Sequence, residues 1–213
     1  MRLIHRRELL LAVILSGIAG FVDAIGFVHL GGYFLSFMSG NTTRMAAGFT
    51  RFHWNVVGVT AGLLSVFFAG VVAGAVVARV SVARTAVLVL VSVMLLGAAS
   101  LAQFHLETAG LLTMAAAMGA MNSVFQRDGE VTVGLTYMTG TLVKAGQRMV
   151  DALFGGPPWL WLRYLVLWLG LTAGAVLGAF AYRGMGIEVL WVAAVLLMAV
   201  TAVVSDAVRR GGQ

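Results

Sequence analysis

Long apolar stretches leave this chain little choice of environment. A bilayer core takes about 20 helical residues to cross, and six stretches approach or exceed that length, at 9–27, 56–78, 86–104, 109–125, 159–182 and 189–207. Only 10% of the residues are charged, against about a quarter in a soluble domain, so there are too few charged side chains to cover a water-facing surface. The sequence therefore predicts an all-α, polytopic protein of the lipid bilayer, a single integral membrane domain over residues 1–213 with six transmembrane helices.

The distribution of basic residues favours one orientation. With six crossings and a cytoplasmic N-terminus, the cytoplasmic side collects Arg2, Arg6, Arg7, Arg79, Arg84, Arg127, Lys144, Arg148, Arg163, Arg209 and Arg210. The other side collects Arg44, Arg51 and Arg183. This bias is typical of a multi-pass protein whose N- and C-termini are both cytoplasmic. It also accounts for the net charge of +6 without a nucleic-acid partner.

A polar motif interrupts the apolar pattern twice. Residues 35–44 read Leu-Ser-Phe-Met-Ser-Gly-Asn-Thr-Thr-Arg, and residues 135–144 read Leu-Thr-Tyr-Met-Thr-Gly-Thr-Leu-Val-Lys. The two copies agree in register at the leucine, the aromatic residue, the methionine, the glycine and the hydroxyl positions. Each copy is too polar for a confident span and too apolar for an ordinary loop.

Two further blocks extend this repeat. Residues 20–24 match 119–123 at an offset of 99, and residues 70–76 match 170–176 at an offset of 100. Three collinear blocks predict two homologous halves, about 1–106 and 107–213. Three crossings per half is an odd number, so the second half would enter the membrane upside down, as in inverted-repeat transporters. Each motif would then be a re-entrant or broken helix segment, entering from the opposite face to its twin.

The motif residues have chemistry suited to binding. Gly40 and Gly140 permit a backbone break, and Asn41 and Thr141, which follow them, are N-cap residue types. A helix that starts inside a membrane presents unpaired N–H groups and the positive end of its dipole. The predicted substrate-binding residues are Ser36, Ser39, Gly40, Asn41, Thr42, Thr136, Tyr137, Thr139, Gly140 and Thr141. They suit an anion, a carboxylate-bearing metabolite or another polar solute; the alternative is that both segments merely pack tightly.

Asp23 is the only acidic residue well inside a predicted span, and Asn122 occupies the equivalent position. A carboxylate at that depth costs roughly 2.5–3.5 kcal/mol on insertion scales and usually faces a cavity or a partner. Asp23 is predicted to carry a coupling proton or cation, with Asn122 as its counterpart; alternatively it pairs with Arg44 or caps a helix near the membrane surface. Arg44 and Lys144, the register-matched charge partners, could bind an anionic substrate, neutralise Asp23 or snorkel to lipid headgroups.

Two ridges of small residues have the spacing of close helix packing. They are Gly70-x3-Gly74 and Gly170-x3-Gly174-x3-Gly178. Such ridges let helix backbones approach closely. They are predicted to pack the two halves together, with a homodimer interface as the alternative.

Enzyme chemistry finds no support in the sequence. There is no cysteine, and His5, His29, His53 and His105 lack the spacing of a metal site. Neither a Gly-x-Ser-x-Gly nucleophile motif nor a P-loop is present. We therefore expect no enzyme activity, no cofactor and no bound metal.

Several blocks resemble one family. Residues 20–27 (Gly-Phe-Val-Asp-Ala-Ile-Gly-Phe), 30–34 (Leu-Gly-Gly-Tyr-Phe) and 38–42 (Met-Ser-Gly-Asn-Thr) resemble the YoaK-like family of small bacterial inner-membrane proteins. Residues 137–142 (Tyr-Met-Thr-Gly-Thr-Leu) are similar to the matching element in its second half. The resemblance implies a six-span protein of the bacterial inner membrane, in a family of unknown function that is usually presumed to transport a small solute.

The function expected from these features is secondary transport. A substrate site between two inverted repeats would accept a small polar or anionic metabolite. A passive channel for a small solute is one alternative. A non-transporting membrane scaffold or sensor subunit is the other.

Overall fold

A computed structural model describes residues 6–81, 84–127 and 129–211. Within these ranges the chain is almost entirely helical. The α-helices are α1 (Arg6–His29), α2 (Met38–Thr50), α3 (Trp54–Ser81), α4 (Arg84–Gln103), α5 (Glu107–Met121), α6 (Met138–Leu153), α7 (Leu160–Met185) and α8 (Leu190–Gly211). Single 3₁₀ turns follow α5 at Asn122–Phe125 and α7 at Gly186–Val189. Two-residue strands, β1 (Gln126–Arg127) and β2 (Glu130–Val131), form a small antiparallel hairpin.

Five helical stretches in the described part of the chain are long and apolar enough to cross a membrane. The last of them, Leu160–Arg210, contains both α7 and α8, which Gly186 separates with a left-handed φ of 62°. At 1.5 Å per residue, α7 and α8 are about 39 and 33 Å long, so each could cross a hydrocarbon core of about 30 Å alone. The six predicted spans thus coincide with α1, α3, α4, α5, α7 and α8 within a few residues, while the number of crossings stays a prediction.

Helices α2 and α6 are too short to cross. They contain 13 and 16 residues, or about 20 and 24 Å. Helix α2 lies against the start of α3, where Gly48 faces Val56 and Val57. Helix α6 lies against α7, and Met138 at its start shares a cleft with Leu171. Each short helix therefore pairs with the long helix that follows it.

Long helices of one predicted half pack along long helices of the other. Helix α1 packs along α7, and α5 packs along α3. A Cβ on Gly174 would overlap the carbonyl of Gly17, and a Cβ on Gly70 would overlap the carbonyl of Ala116. Glycine is required at these positions because the backbones are nearly in contact. The small-residue ridges thus pack within the chain, between its halves.

These contacts also revise the register of the repeat. Gly17 and Ala116 are 99 residues apart, as predicted for α1 and α5 (116 − 17), but their partners Gly70 and Gly174 are 104 apart rather than 100 (174 − 70). The extra residues lie between the motif and the long helix. Helix α6 is three residues longer than α2, and six residues rather than three connect it to α7, while Gly174 lies 14 residues into α7 and Gly70 lies 16 into α3, which leaves a net difference of four. Four residues are about one helical turn, so the glycines of α7 still face α1 as the glycines of α3 face α5.

Two groups of helices follow from this packing. The first body consists of α1, α6 and α7, and the second body consists of α2, α3, α4 and α5. Helix α4 packs on α5 and on α8, with Ser92 and Thr201 sharing a buried hydrogen bond of 3.1 Å. The apolar core lies where these helices meet, and its largest fully buried side chains include Leu15, Leu88, Leu95, Met114, Met118 and Leu197.

Candidate functional site

The first motif lies on a segment that folds back along α1. The chain turns at Gly31 and Gly32, whose φ angles of 65° and 100° fall in the left-handed region that glycine adopts readily. The side chain of Leu35 then fills the space beside Gly26, where a Cβ would overlap it. The backbone break predicted at Gly40 is therefore located nine residues earlier, at Gly31.

Helix α2 begins at Met38, with Phe37 as its N-cap residue. Gly40 and Asn41 thus lie in the first turn, and the expectation that Asn41 would cap the helix is wrong. Gly40 has another reason to be small, because the rings of Phe34 and Phe37 occupy the space of a Cβ. Helix α6 likewise begins at Met138, ahead of Gly140, where a Cβ would meet nothing within 4 Å.

Asp23 anchors the returning segment to α1. Its Oδ1 accepts hydrogen bonds from the backbone N–H groups of Leu35 and Ser36, each at 2.7 Å. Hydrogen bonds from amides to a carboxylate are charge-assisted and stronger than neutral ones. The side chain is half-buried. Asp23 and Ser36, for which the sequence predicted separate coupling and binding roles, are therefore direct neighbours.

Asn122 repeats this arrangement in the second half. The hydroxyl of Thr136 donates to Asn122 Oδ1 at 3.1 Å, and Asn122 Nδ2 donates to the Met118 carbonyl, also at 3.1 Å. Asn122 and Thr136 are both buried. The pairs Asp23–Ser36 and Asn122–Thr136 occupy matching positions of the repeat, so both halves tie the segment before the short helix to the helix before it.

Asn41 has a local partner. Its Nδ2 donates to the carbonyl of Phe34 at 2.7 Å, and its Oδ1 accepts from the N–H of Phe34 at 3.1 Å. The side-chain amide thus bonds to both backbone groups of Phe34, and Asn41 is completely buried. Thr141, its equivalent, donates instead to the carbonyl of Tyr137 at 2.7 Å.

The two predicted cations have different surroundings. Arg44 Nη1 donates to the carbonyl of Gly32, and its guanidinium lies 4.2 Å from the centre of the Tyr33 ring. Arg44 therefore braces the turn, while Asp23 binds backbone amides rather than this arginine. Lys144 is exposed on α6.

The remaining motif residues are accessible. Ser39, Thr42, Tyr137, Thr139 and Gly140 are exposed, and the Thr42 hydroxyl donates to the carbonyl one turn earlier. Within the described residues, the backbone N–H groups of Ser39, Thr139 and Gly140 have no acceptor. They are first-turn groups of helices that lack a side-chain cap, so they are free to bind another acceptor.

A narrow cleft lies beside the second motif. It is lined by Ser16, Leu135, Tyr137, Thr141 and Trp168 among others, and it has room for about one water molecule. A second hollow, at residues 52–56, is open. Neither hollow reaches both motifs, and among the described residues no hydrogen bond joins 34–44 to 134–144. In this conformation the two segments are closed against their own helices.

Two polar clusters were not predicted from the sequence. Arg84 bonds to Glu8 at 3.0 Å, and His29 contacts both Glu107 at 3.2 Å and Tyr182 at 2.8 Å. One signal was available, because Glu8 and Glu107 are 99 residues apart and both lie in the first turn of a half's first helix. Among the described residues, no group of three or more acidic or histidine side chains could hold a metal ion.

Residues 11–203 match a family described as a protein of unknown function, DUF1275. The chain is also similar to a UPF0700 transmembrane protein of Rhizobium meliloti (strain 1021), with 34% identity over 98% of this chain and 93% of the relative. No solved structure gives a significant match. The chain belongs to the DUF1275 family of transmembrane proteins, whereas its resemblance to the YoaK-like family stays a prediction.

Proposed function

We propose that this member of the DUF1275 family is a secondary transporter or permease for a small polar or anionic metabolite in the bacterial inner membrane. One observation carries the proposal: two short helices, α2 and α6, each follow a returning segment that is tied to the preceding helix by Asp23 or Asn122. Non-helical backbone at membrane depth is tolerated only where protein buries it or a wet cavity adjoins it. Broken helices of this kind form the substrate sites of inverted-repeat transporters.

The helix registers support a common depth for both starts. Gly48 of α2 faces Val57, so in an antiparallel pair Met38, ten residues earlier, lies beside about Phe67. Phe67 in turn touches Gly119, at a close approach of α3 and α5. Met138 lies beside Leu171, which touches Gly20 at the close approach of α1 and α7. Both short helices thus start level with the middle of the long helices.

Their directions support an inverted arrangement. Helix α2 leads to the start of α3 and α6 leads to the start of α7. In the proposed topology of six crossings with cytoplasmic termini, those two starts lie on opposite faces of the membrane. The short helices would then enter from opposite sides and meet the middle of the bundle with their N-terminal ends.

The free groups at these ends favour an anionic ligand. The unpaired N–H groups of Ser39, Thr139 and Gly140 are donors at the positive ends of two helix dipoles. Arg44 and Lys144 add positive charge one turn further along. The half-buried carboxylate of Asp23, beside the first of these ends, would carry the coupling proton or cation. The substrate-binding role belongs to the motif residues predicted from the sequence.

Two alternatives make different predictions. A passive channel would use the same segments as a constriction without coupling. A scaffold or sensor subunit would need no path at all, and the narrowness of the cleft at the second motif supports this alternative.

Uptake into proteoliposomes tests all three. Inorganic phosphate, sulfate, acetate and succinate serve as radiolabelled probes, with and without a pH gradient. We expect gradient-driven uptake of at least one probe by the wild type, and loss of the gradient dependence in Asp23→Asn. This variant keeps an oxygen acceptor at the position, as Asn122 does in the second half, so it separates charge from structure.

Each other result has a defined meaning. Equal gradient dependence in both proteins removes Asp23 from coupling. Wild-type uptake that does not depend on the pH gradient favours the channel. No uptake of any probe by correctly folded protein, by comparison with protein-free liposomes, rejects transport of these anions and favours the scaffold.

A further inference from the structure

A polar cluster closes one end of the helix bundle. Arg84, in the first turn of α4, bonds to Glu8 in the first turn of α1 at 3.0 Å. The same guanidinium lies 4.6 Å from the centre of the Phe125 ring, at the end of the 3₁₀ turn after α5. The two charged side chains are 35% and 42% exposed. This first tie therefore connects α1 to α4 and to the end of α5.

A second cluster lies at the opposite end. His29, the last residue of α1, approaches Glu107 at the start of α5 through Nε2, at 3.2 Å. Its Nδ1 is 2.8 Å from the hydroxyl of Tyr182 on α7, and the two rings meet edge to face. His29 is 17% exposed and Glu107 49%. This second tie connects α1 and α7 to α5.

The two ties are matched in position. Glu8 and His29 are 21 residues apart on one helix, so the ties are separated by about 30 Å. The acidic partners, Glu8 and Glu107, share the 99-residue offset of the repeat (107 − 8). Each acid lies at a helix N-terminus, where the dipole favours negative charge. The basic partners do not follow the repeat, because one is an arginine and the other a histidine.

Both ties join the same two groups of helices. Helix α1 belongs to the first body, while α4 and α5 belong to the second body. Inside each body the backbones are in close contact at glycines, Gly174 on Gly17 in the first and Gly70 on Ala116 in the second. Contacts between α1 and α5 themselves are sparse. The bodies are therefore internally rigid, and polar side chains bridge them at the two ends of the apolar core that lies between them.

We propose that the two ties are opposing gates, the Glu8–Arg84 tie at one face of the membrane and the His29–Glu107–Tyr182 tie at the other. The inference rests on the proposed transport function and assigns its gating residues. Partly exposed ion pairs and hydrogen bonds contribute little to stability, so either tie can open while the glycine contacts within each body stay intact. Loss of one tie shifts the population towards conformations open at that end. Because the same two bodies form both gates, opening one end closes the other.

Cysteine labelling from each side of the membrane tests the gates. The sequence has no cysteine, so single reporters need no prior substitutions. Ser36→Cys reports on the segment beside Asp23, nearer the second tie, and Thr136→Cys reports on the matching segment beside Asn122, nearer the first. A membrane-impermeant maleimide is applied to right-side-out and to inverted vesicles.

Glu107→Gln breaks the second tie, and Glu8→Gln breaks the first. We expect Glu107→Gln to raise the labelling rate of Ser36→Cys from the His29 side by about threefold, and to lower that of Thr136→Cys from the other side. Glu8→Gln should do the reverse. Tyr182→Phe, which removes only a hydroxyl, should act in the direction of Glu107→Gln with a smaller change.

The reciprocal change distinguishes gates from structural braces. Faster labelling of both reporters in one variant would show general loosening and would overturn the proposal, as would no change in either reporter. Ser92→Cys, in the α4–α8 contact, is the matched control and should remain unlabelled throughout. Reciprocal labelling without uptake of any of the four probes would retain the gates and reject transport of those anions, so the two proposals fail separately.

Discussion

Replacing Asp23 with alanine is expected to detach the first motif from α1. Asp23 Oδ1 is the acceptor for two backbone N–H groups, those of Leu35 and Ser36, each at 2.7 Å. Hydrogen bonds between membrane helices average about 0.6 kcal/mol and reach about 1.7, and bonds to a charged acceptor fall at the strong end. Two such bonds therefore contribute about 3 kcal/mol to the free energy of unfolding. The cost of holding a carboxylate in the bilayer is present in both the folded and the unfolded state, because the unfolded reference state also lies in the membrane. It therefore cancels in part from the free energy of unfolding.

Asparagine at the same position separates the acceptor from its charge. Asp23→Asn keeps an oxygen that can accept from both amides, so we expect it to lose only about 1 kcal/mol. Asn122→Ala is the control at the matching position of the repeat. It removes the acceptor of one side-chain hydroxyl, that of Thr136, and it should also cost about 1 kcal/mol.

The measurement is reversible unfolding by SDS in mixed micelles, followed by the fluorescence of the five tryptophans. The expected order of stability is wild type, then Asp23→Asn, then Asp23→Ala. Wild-type stability in Asp23→Ala would refute the anchoring role. Equal losses in the alanine and asparagine variants would show that the charge, rather than the acceptor geometry, holds the segment.

Two further substitutions test the packing and the turn. Gly174→Ala places a methyl group on the carbonyl of Gly17 and should cost about 1–3 kcal/mol of unfolding free energy in the same assay. The control is Gly140→Ala, which has open space around it and should leave stability unchanged or slightly raised. A similar loss in both variants would contradict the close approach of the two backbones at Gly174. Arg44→Gln removes a carbonyl hydrogen bond and a cation–π contact and should cost about 1–2 kcal/mol, with faster proteolysis of the 30–37 turn as the local readout; unchanged cleavage there would mean that the arginine does not brace it.

The positions of the long helices were predictable because the signal is local. A run of apolar residues of membrane-crossing length predicts a helix wherever its neighbours lie. The repeat was equally readable, and it predicted that Asp23 and Asn122 correspond. It did not predict the bonds that these side chains make, because Leu35 and Thr136 reach them only after the chain has folded back.

Details of the motif depended on the turn that precedes it. Glycine and asparagine at 40 and 41 are typical of a break and a cap, so the sequence predicted the break there. The structure places the turn at Gly31 and Gly32 because the space beside Gly26 accepts the side chain of Leu35. Asn41 is then used to hold Phe34 rather than to start a helix.

The sequence by itself determined that this is a helical membrane protein and predicted two related halves, since hydropathy, residue spacing and repeat register are properties of short stretches. Only the tertiary structure decided which helices pair, where the repeat slips from 100 to 104 residues, and that His29 meets Tyr182, 153 positions away. These features depend on how closely backbones can approach and on which ends of the long helices coincide. Both are set by the packing of glycines against carbonyl groups in distant parts of the chain.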